Sequence, residues 1–174
     1  MNKQILLCVE TNAKARTDYQ YISETIRRFY VNDPKISYKP IFLESKSMYA
    51  SPKKQKEIEK YTKAYPGETK VIYFIDTDDF DTNYETEKLL VEIKKYCEMH
   101  AYEMVFFCRD VEEVYLGNRI NNVDKVNAVK KFKSAKMIEQ AAEEKLSQNK
   151  YKVKCSNILC ILDKFWVRKK EKDR

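Results

Sequence analysis

The chain has 174 residues, enough for one globular domain with its own core. Hydrophobic residues make up 43%, which excludes a disordered chain, and no apolar run approaches the roughly 18 residues of a membrane span. The net charge of +7 is unevenly spread: residues 1–124 hold 19 Lys/Arg against 21 Asp/Glu, a balance of −2, while residues 125–174 hold 15 against 6, a balance of +9.

QILLCV is apolar without alternation, as in a strand covered on both faces, and predicts a strand over 4–9. The opening MNKQILLCVE lacks a signal-peptide cleavage pattern and reads as the lead into that strand. In TDYQ, Thr17 and Gln20 have the spacing of a capping box, and Tyr21, Ile22, Ile26 and Phe29 follow at helical spacing, so a helix is expected over 18–30. KISYKPIFLE predicts a strand over 36–43, with Pro40 favouring a sheet edge. Ser51 as cap and Pro52 at the first helical position open a helix over 52–64.

KVIYFI is a second continuous apolar run and predicts a strand over 70–76. A capping box from Thr82 to Glu85, then Leu89, Leu90, Ile93 and Cys97, predicts a helix over 83–99. YEMVFFC predicts a strand over 103–108. DVEEVYL reads as a short helix, GNRINNVDK as a polar loop, and 134–148 as an amphipathic helix with Met137, Ile138, Ala141 and Leu146. SNILCILDKFWV reads as a closing helix, with a strand as the alternative, and RKKEKDR as a basic tail.

Strands alternating with helices call for a three-layer α/β fold: a mostly parallel four-stranded sheet with helices on both faces. The expected division is an α/β core over 1–120 and a basic, mainly helical extension over 121–174 packed on it. Two glycines are too few for a P-loop, a dinucleotide fingerprint or a kinase glycine loop. One histidine all but excludes a histidine-based zinc site. The five cysteines form no C-x-x-C pair and read as free thiols in a reducing, cytoplasmic compartment.

VIYFIDTDDFDTN crowds Asp76, Asp78, Asp79 and Asp81 into six positions after a strand. Ligands of a parallel sheet bind beyond the carboxyl ends of its strands. Glu10, then Asp76, Asp78 and Asp79, then Arg109, Asp110, Glu112 and Glu113 would all meet at that edge. Carboxylates without histidine form the ligand set of a hard cation, Mg2+, Mn2+ or Ca2+. A structural reading stands beside this one. Asp79, Asp81 or Thr82 would cap the next helix, Asp110 and Glu113 form a D-x-x-E capping box, and Glu10 would pair with Arg16 or Arg109.

The combination resembles the TOPRIM fold, with its glutamate after the first strand (Glu10) and its D-x-D after the third (Asp76 and Asp78). Within that group it is most similar to a small bacterial TOPRIM-like family of restriction and abortive-infection loci. The matching segments are Glu10 with RTDYQY (Thr17, Asp18, Tyr21), FIDTDDF, and EEVYL with Glu113 and Tyr115. They span about 8–117. The chain departs from the family at Thr11, where the family has glycine, and at CRDV, which replaces a small-Asn-Pro turn.

The resemblance implies a divalent-metal-dependent nuclease or related phosphodiester-handling enzyme of a defence or mobile-element system. Glu10, Asp76 and Asp78 would hold Mg2+ or Mn2+, and Glu113 would complete the catalytic set. Arg109, Lys125, Lys130, Lys131 and Lys133 would meet the phosphates of DNA or RNA. The alternative is a non-catalytic module on the same fold that binds nucleic acid or a partner protein, such as an ATPase of the same locus. A lysine-rich solvated surface would account equally for the basic third. Phosphotransferases of the haloacid-dehalogenase type fit less well, because Phe80 stands where their D-x-D-x-(T/V) motif needs Thr or Val.

Overall fold

A computed structural model describes residues 2–170, and in it each apolar run becomes a strand of one sheet. The strands are β1 (Lys3–Val9), β2 (Ile36–Phe42), β3 (Glu68–Asp76) and β4 (Glu103–Phe107). Their order is β2-β1-β3-β4, and every neighbouring pair is parallel. β1 and β3 are central and covered on both faces, which explains their lack of alternation. Pro40 lies on the edge strand β2, opposite Leu7, where a missing N–H is tolerated.

Helix α1 (Thr17–Phe29) covers one face, and α2 (Pro52–Ala64) and α3 (Tyr84–Met99) cover the other. Crossover handedness dictates this arrangement. The chain moves outward from β1 to β2, then back across β1 to β3 and on to β4. Right-handed connections must then place α1 opposite α2 and α3. On the α1 face, Ile5, Leu7, Val9, Ile72 and Phe74 meet Ile22, Ile26 and Phe29. On the other, Leu6, Cys8, Val71, Tyr73 and Ile75 meet Ile58, Leu90 and Ile93.

Two predicted caps are displaced. The residue before α1 is Arg16, left-handed at φ 52°, with no side-chain cap. Thr17 donates instead to Asp18 Oδ1, and Gln20 Oε1 accepts from Lys133 Nζ, so neither closes a box. At α3 the cap is Asn83, which accepts from the Thr86 amide at 3.2 Å. The Ser51 cap and Pro52 at the start of α2 are as predicted.

After β4 come α4 (Val111–Leu116) and α5 (Lys125–Ser134), both on the α1 face. The single helix expected over 134–148 does not form. Its span holds a 3-10 turn (Met137–Gln140) and the one-turn α6 (Glu143–Leu146). The apolar stripe lies further upstream, in Val129 and Phe132 of α5, and Lys136 at φ 49° breaks the continuation. The closing helix shortens to α7 (Ile158–Leu162). Val129, Phe132, Ile138, Leu146, Ile158 and Trp166 join the same core as α1 and the sheet. Arg168 forks onto Asp163 at 2.6 and 2.8 Å, and the Lys169 amide donates to the Phe29 carbonyl. The last four residues of the basic tail, 171–174, lie outside the described residues.

The second edge, β4, is covered rather than left open. Asn157 accepts from the Phe106 amide at 2.8 Å and donates to the Met104 carbonyl at 3.1 Å, as a neighbouring strand would. The Cys108 amide donates to the Cys155 carbonyl at 2.9 Å. Such cover removes a template for edge-to-edge pairing. Both glycines have structural places. A Cβ on Gly67 would lie 2.2 Å from the Asn2 carbonyl oxygen, and Gly117 ends α4 at φ 80°.

Candidate functional site

The parallel register brings Val9 and Phe74 side by side, so β1 and β3 deliver their carboxyl ends to one place. The chain reverses its direction of travel between these two strands, which makes this the topological switch point of the sheet. Glu10 and Asp76 stand there. Glu10 Oε1 accepts the backbone N–H of Asp76 at 2.7 Å, tying the two strand ends together.

More carboxylates converge than the strand ends alone supply. Asp18 comes from the first turn of α1 and Glu112 from α4, and both are buried. Burial drives the Asp76 carboxyl well above its usual range, and the charges of Glu10, Asp18 and Glu112 add to it. Burial pushes Glu10 up to about 8, against the pull of Lys46 and the Asp76 hydrogen bond. Asp18 rises to about 6, through burial first and Glu112 second. Burial raises Glu112 as well, opposed by its bond to Lys125.

Two ammonium groups answer these charges. Lys46 Nζ donates to the Asp76 carbonyl at 2.9 Å and to Asp78 Oδ2. Lys125 Nζ donates to Glu112 Oε2 at 2.9 Å, with the glutamate fully buried. Burial opposes the charge on Lys125, but the Glu112 bond and the charges of Glu112, Asp76 and Asp18 prevail and raise its pKa. An open cleft of about 440 Å³ is lined by Glu10, Asp18, Asp76 and Lys125, together with Thr11 and Asn122.

The other predicted residues lie around this centre. Asp78, left-handed at φ 48°, is held by Lys46 and does not line the cleft. Asp79 accepts from Thr86 Oγ1 and Asn83 Nδ2, so it braces the Asn83 cap of α3 and is not itself the cap. Glu113 gives its amide to the Asp110 cap, and its neighbour Glu112 is the residue turned to the cluster. Arg109 Nη2 reaches Asp81 at 3.4 Å, and its backbone locks the β3 and β4 loops through Thr77 and Asp78. Lys130, Lys131 and Lys133 stand exposed along α5, with Lys133 on Gln20. Each loop at the carboxyl edge contains one left-handed non-glycine residue: Arg16, Glu44, Asp78 and Arg109. Such residues concentrate at functional sites, where neighbouring contacts hold the strain.

Glu112 stood among the residues expected at this edge but without a role, Asp18 entered only through the RTDYQY segment, and Lys46 was not anticipated. Lys46 follows β2 at the same sheet edge, so counting the end of β2 with the other strand ends would have found it. Choosing Glu112 over Glu113 requires the rotation of α4, about 100° per residue, which packing alone fixes.

Among the described residues, no group of three or more His, Cys, Asp or Glu side chains is arranged to hold a metal ion. The donor chemistry nevertheless fits a hard cation. Thr11 Oγ1 and Glu112 Oε1 are buried oxygens without a hydrogen-bond partner, beside carboxyls raised by burial first and by one another's charge second. Mg2+ needs only one or two carboxylates and keeps its waters, so Glu10 and Asp76 suffice in number.

Comparison with family models, curated proteins and solved structures gives no match to this chain. Among the described residues, no helix is long and apolar enough to cross a membrane.

Proposed function

We propose that this chain is a divalent-cation-dependent, phosphodiester-handling enzyme, a nuclease or close chemical relative, on a TOPRIM-like version of the parallel α/β fold. The observation that carries the reading is the meeting of Glu10 and Asp76 at the switch point, inside an open cleft. Glu10 and Asp76 would hold Mg2+ or Mn2+. When bound, the ion would neutralise charge on a phosphoryl oxygen and lower the pKa of water.

The remaining roles belong to the chain's own groups. Asp18 lines the same cleft as Glu10 and Asp76 and is the chain's candidate general acid or base. Lys125 holds Glu112 in place, and Lys46 holds the Asp78 loop. Lys130, Lys131 and Lys133 supply the basic face that meets phosphates of DNA or RNA.

One observation favours a second reading, a non-catalytic binding module. Lys46 and Lys125 already neutralise part of the cluster, as in a carboxylate site retained for structure. The two readings separate in a cleavage assay with labelled DNA and RNA under Mg2+ or Mn2+. The enzyme cuts and its Asp76→Asn variant binds without cutting, whereas the module binds and cuts in neither form.

A further inference from the structure

A groove of about 530 Å³ opens at the β4 edge, on the face opposite the α1 helix layer. Phe80, Met104, Phe106 and Tyr151 form its apolar lining, and Lys94 and Lys150 stand at it. No carboxylate lines it, although the chain is rich in them. Tyr151 packs edge-on against Phe80 at 5.0 Å and Phe106 at 4.7 Å, and remains 41% exposed. Phe80 lies in the loop that follows Asp76, so groove and acidic cleft share one short segment of chain.

We infer that this groove seats one unstacked base of a single-stranded nucleic acid, with Lys94 and Lys150 on the flanking phosphates. The inference rests on the nucleic-acid reading above and narrows it to single strands. Aromatic side chains gain most from bases whose faces are free, and a duplex hides those faces. A groove of this volume accepts one ring system with its sugar. Positive charge with no carboxylate in the lining suits a polyanion and disfavours a cationic partner. Lys152 and Lys154, exposed on the same loop as Tyr151, extend the positive charge along the path.

The test is fluorescence anisotropy with a labelled 12-nucleotide oligothymidylate and a labelled duplex of the same length, using the full chain without divalent cation. The wild type is expected to bind the single strand more tightly than the duplex. Tyr151→Ala should weaken single-strand binding about tenfold with an unchanged salt slope, and Tyr151→Phe should restore it. The paired change Lys94→Gln, Lys150→Gln should weaken binding and flatten the salt dependence. Both lysines are exposed, so this pair keeps the test valid if Tyr151→Ala unfolds. Equal affinity for duplex and single strand, or a Tyr151→Ala variant and a lysine pair both within twofold of wild type, would overturn the groove. In the second case, metal-dependent cutting that persists leaves the enzyme reading standing. Loss of binding in the variants of a protein that never cuts supports the groove and removes the enzyme reading.

Discussion

The carboxylate of Glu10 accepts the backbone N–H of Asp76 at 2.7 Å, so a side chain from the end of β1 closes the end of β3. The contact fixes Asp76 at the cleft without using the Asp76 carboxylate. It also buries both carboxyls, and burial is the main cause of their raised pKa values, with the charge of Glu10 adding to the rise at Asp76.

Stability without divalent cation should therefore fall as pH rises. A carboxyl whose folded pKa is raised stabilises the fold below its unfolded value and loses that contribution as pH climbs through the folded one. Asp18 moves from 3.8 to about 6 and Glu10 from 4.5 to about 8. Thermal melts in a chelating buffer should show the melting temperature dropping between pH 4.5 and about 8. Asp18→Asn should flatten the lower part of that window and Glu10→Gln the upper part. A melting temperature that rises across the window contradicts the assignment.

The pair formed by Lys125 and Glu112 is predicted to be structural as well as local to the cleft. Lys125→Ala leaves a fully buried glutamate unanswered and should cost about 3–5 kcal/mol. Adding Glu112→Gln should recover most of that loss. Denaturant unfolding of the two single variants and the double variant measures the coupling, and additive effects would refute it.

Lys130, Lys131 and Lys133 should behave in the opposite way. They are exposed on α5, so Lys→Glu changes there should shift stability by no more than about 1 kcal/mol. Binding to nucleic acid should weaken equally for all sequences, and the salt slope should shrink. Full binding by the triple variant would move the phosphate contacts elsewhere.

The fold was legible where each residue's environment is set by its own strand. QILLCV and KVIYFI show no alternation because both strands are central, and Pro40 marks the edge. The Ser51–Pro52 pair located α2 for the same local reason. The last third was not legible because α6 and α7 span one turn or little more, too short for a periodic signal. In the site, Glu10 and Asp76 were legible as strand ends. Asp18 and Glu112 were visible near the edge, but their part in the cluster was not, since a helical residue reaches it only through a rotation that packing decides.

Divalent cation should raise the melting temperature, because binding to the folded state alone stabilises it by mass action. With Mg2+ at 100 times its dissociation constant the gain is about 2.7 kcal/mol, or roughly 5–10 °C for a chain of this size. Asp76→Asn should abolish the gain. Asp78→Asn should keep most of it, since Lys46 already engages that carboxylate. An equal loss in both variants would place Asp78 among the ligands.

Cation-dependent cutting is decided by a cleavage assay with a labelled single strand, Mn2+, the wild type and the Asp76→Asn variant side by side. The wild type should cut, and the variant should bind the strand without cutting it. A wild type that binds and leaves the strand whole, or a variant that cuts as fast as the wild type, contradicts the enzyme reading.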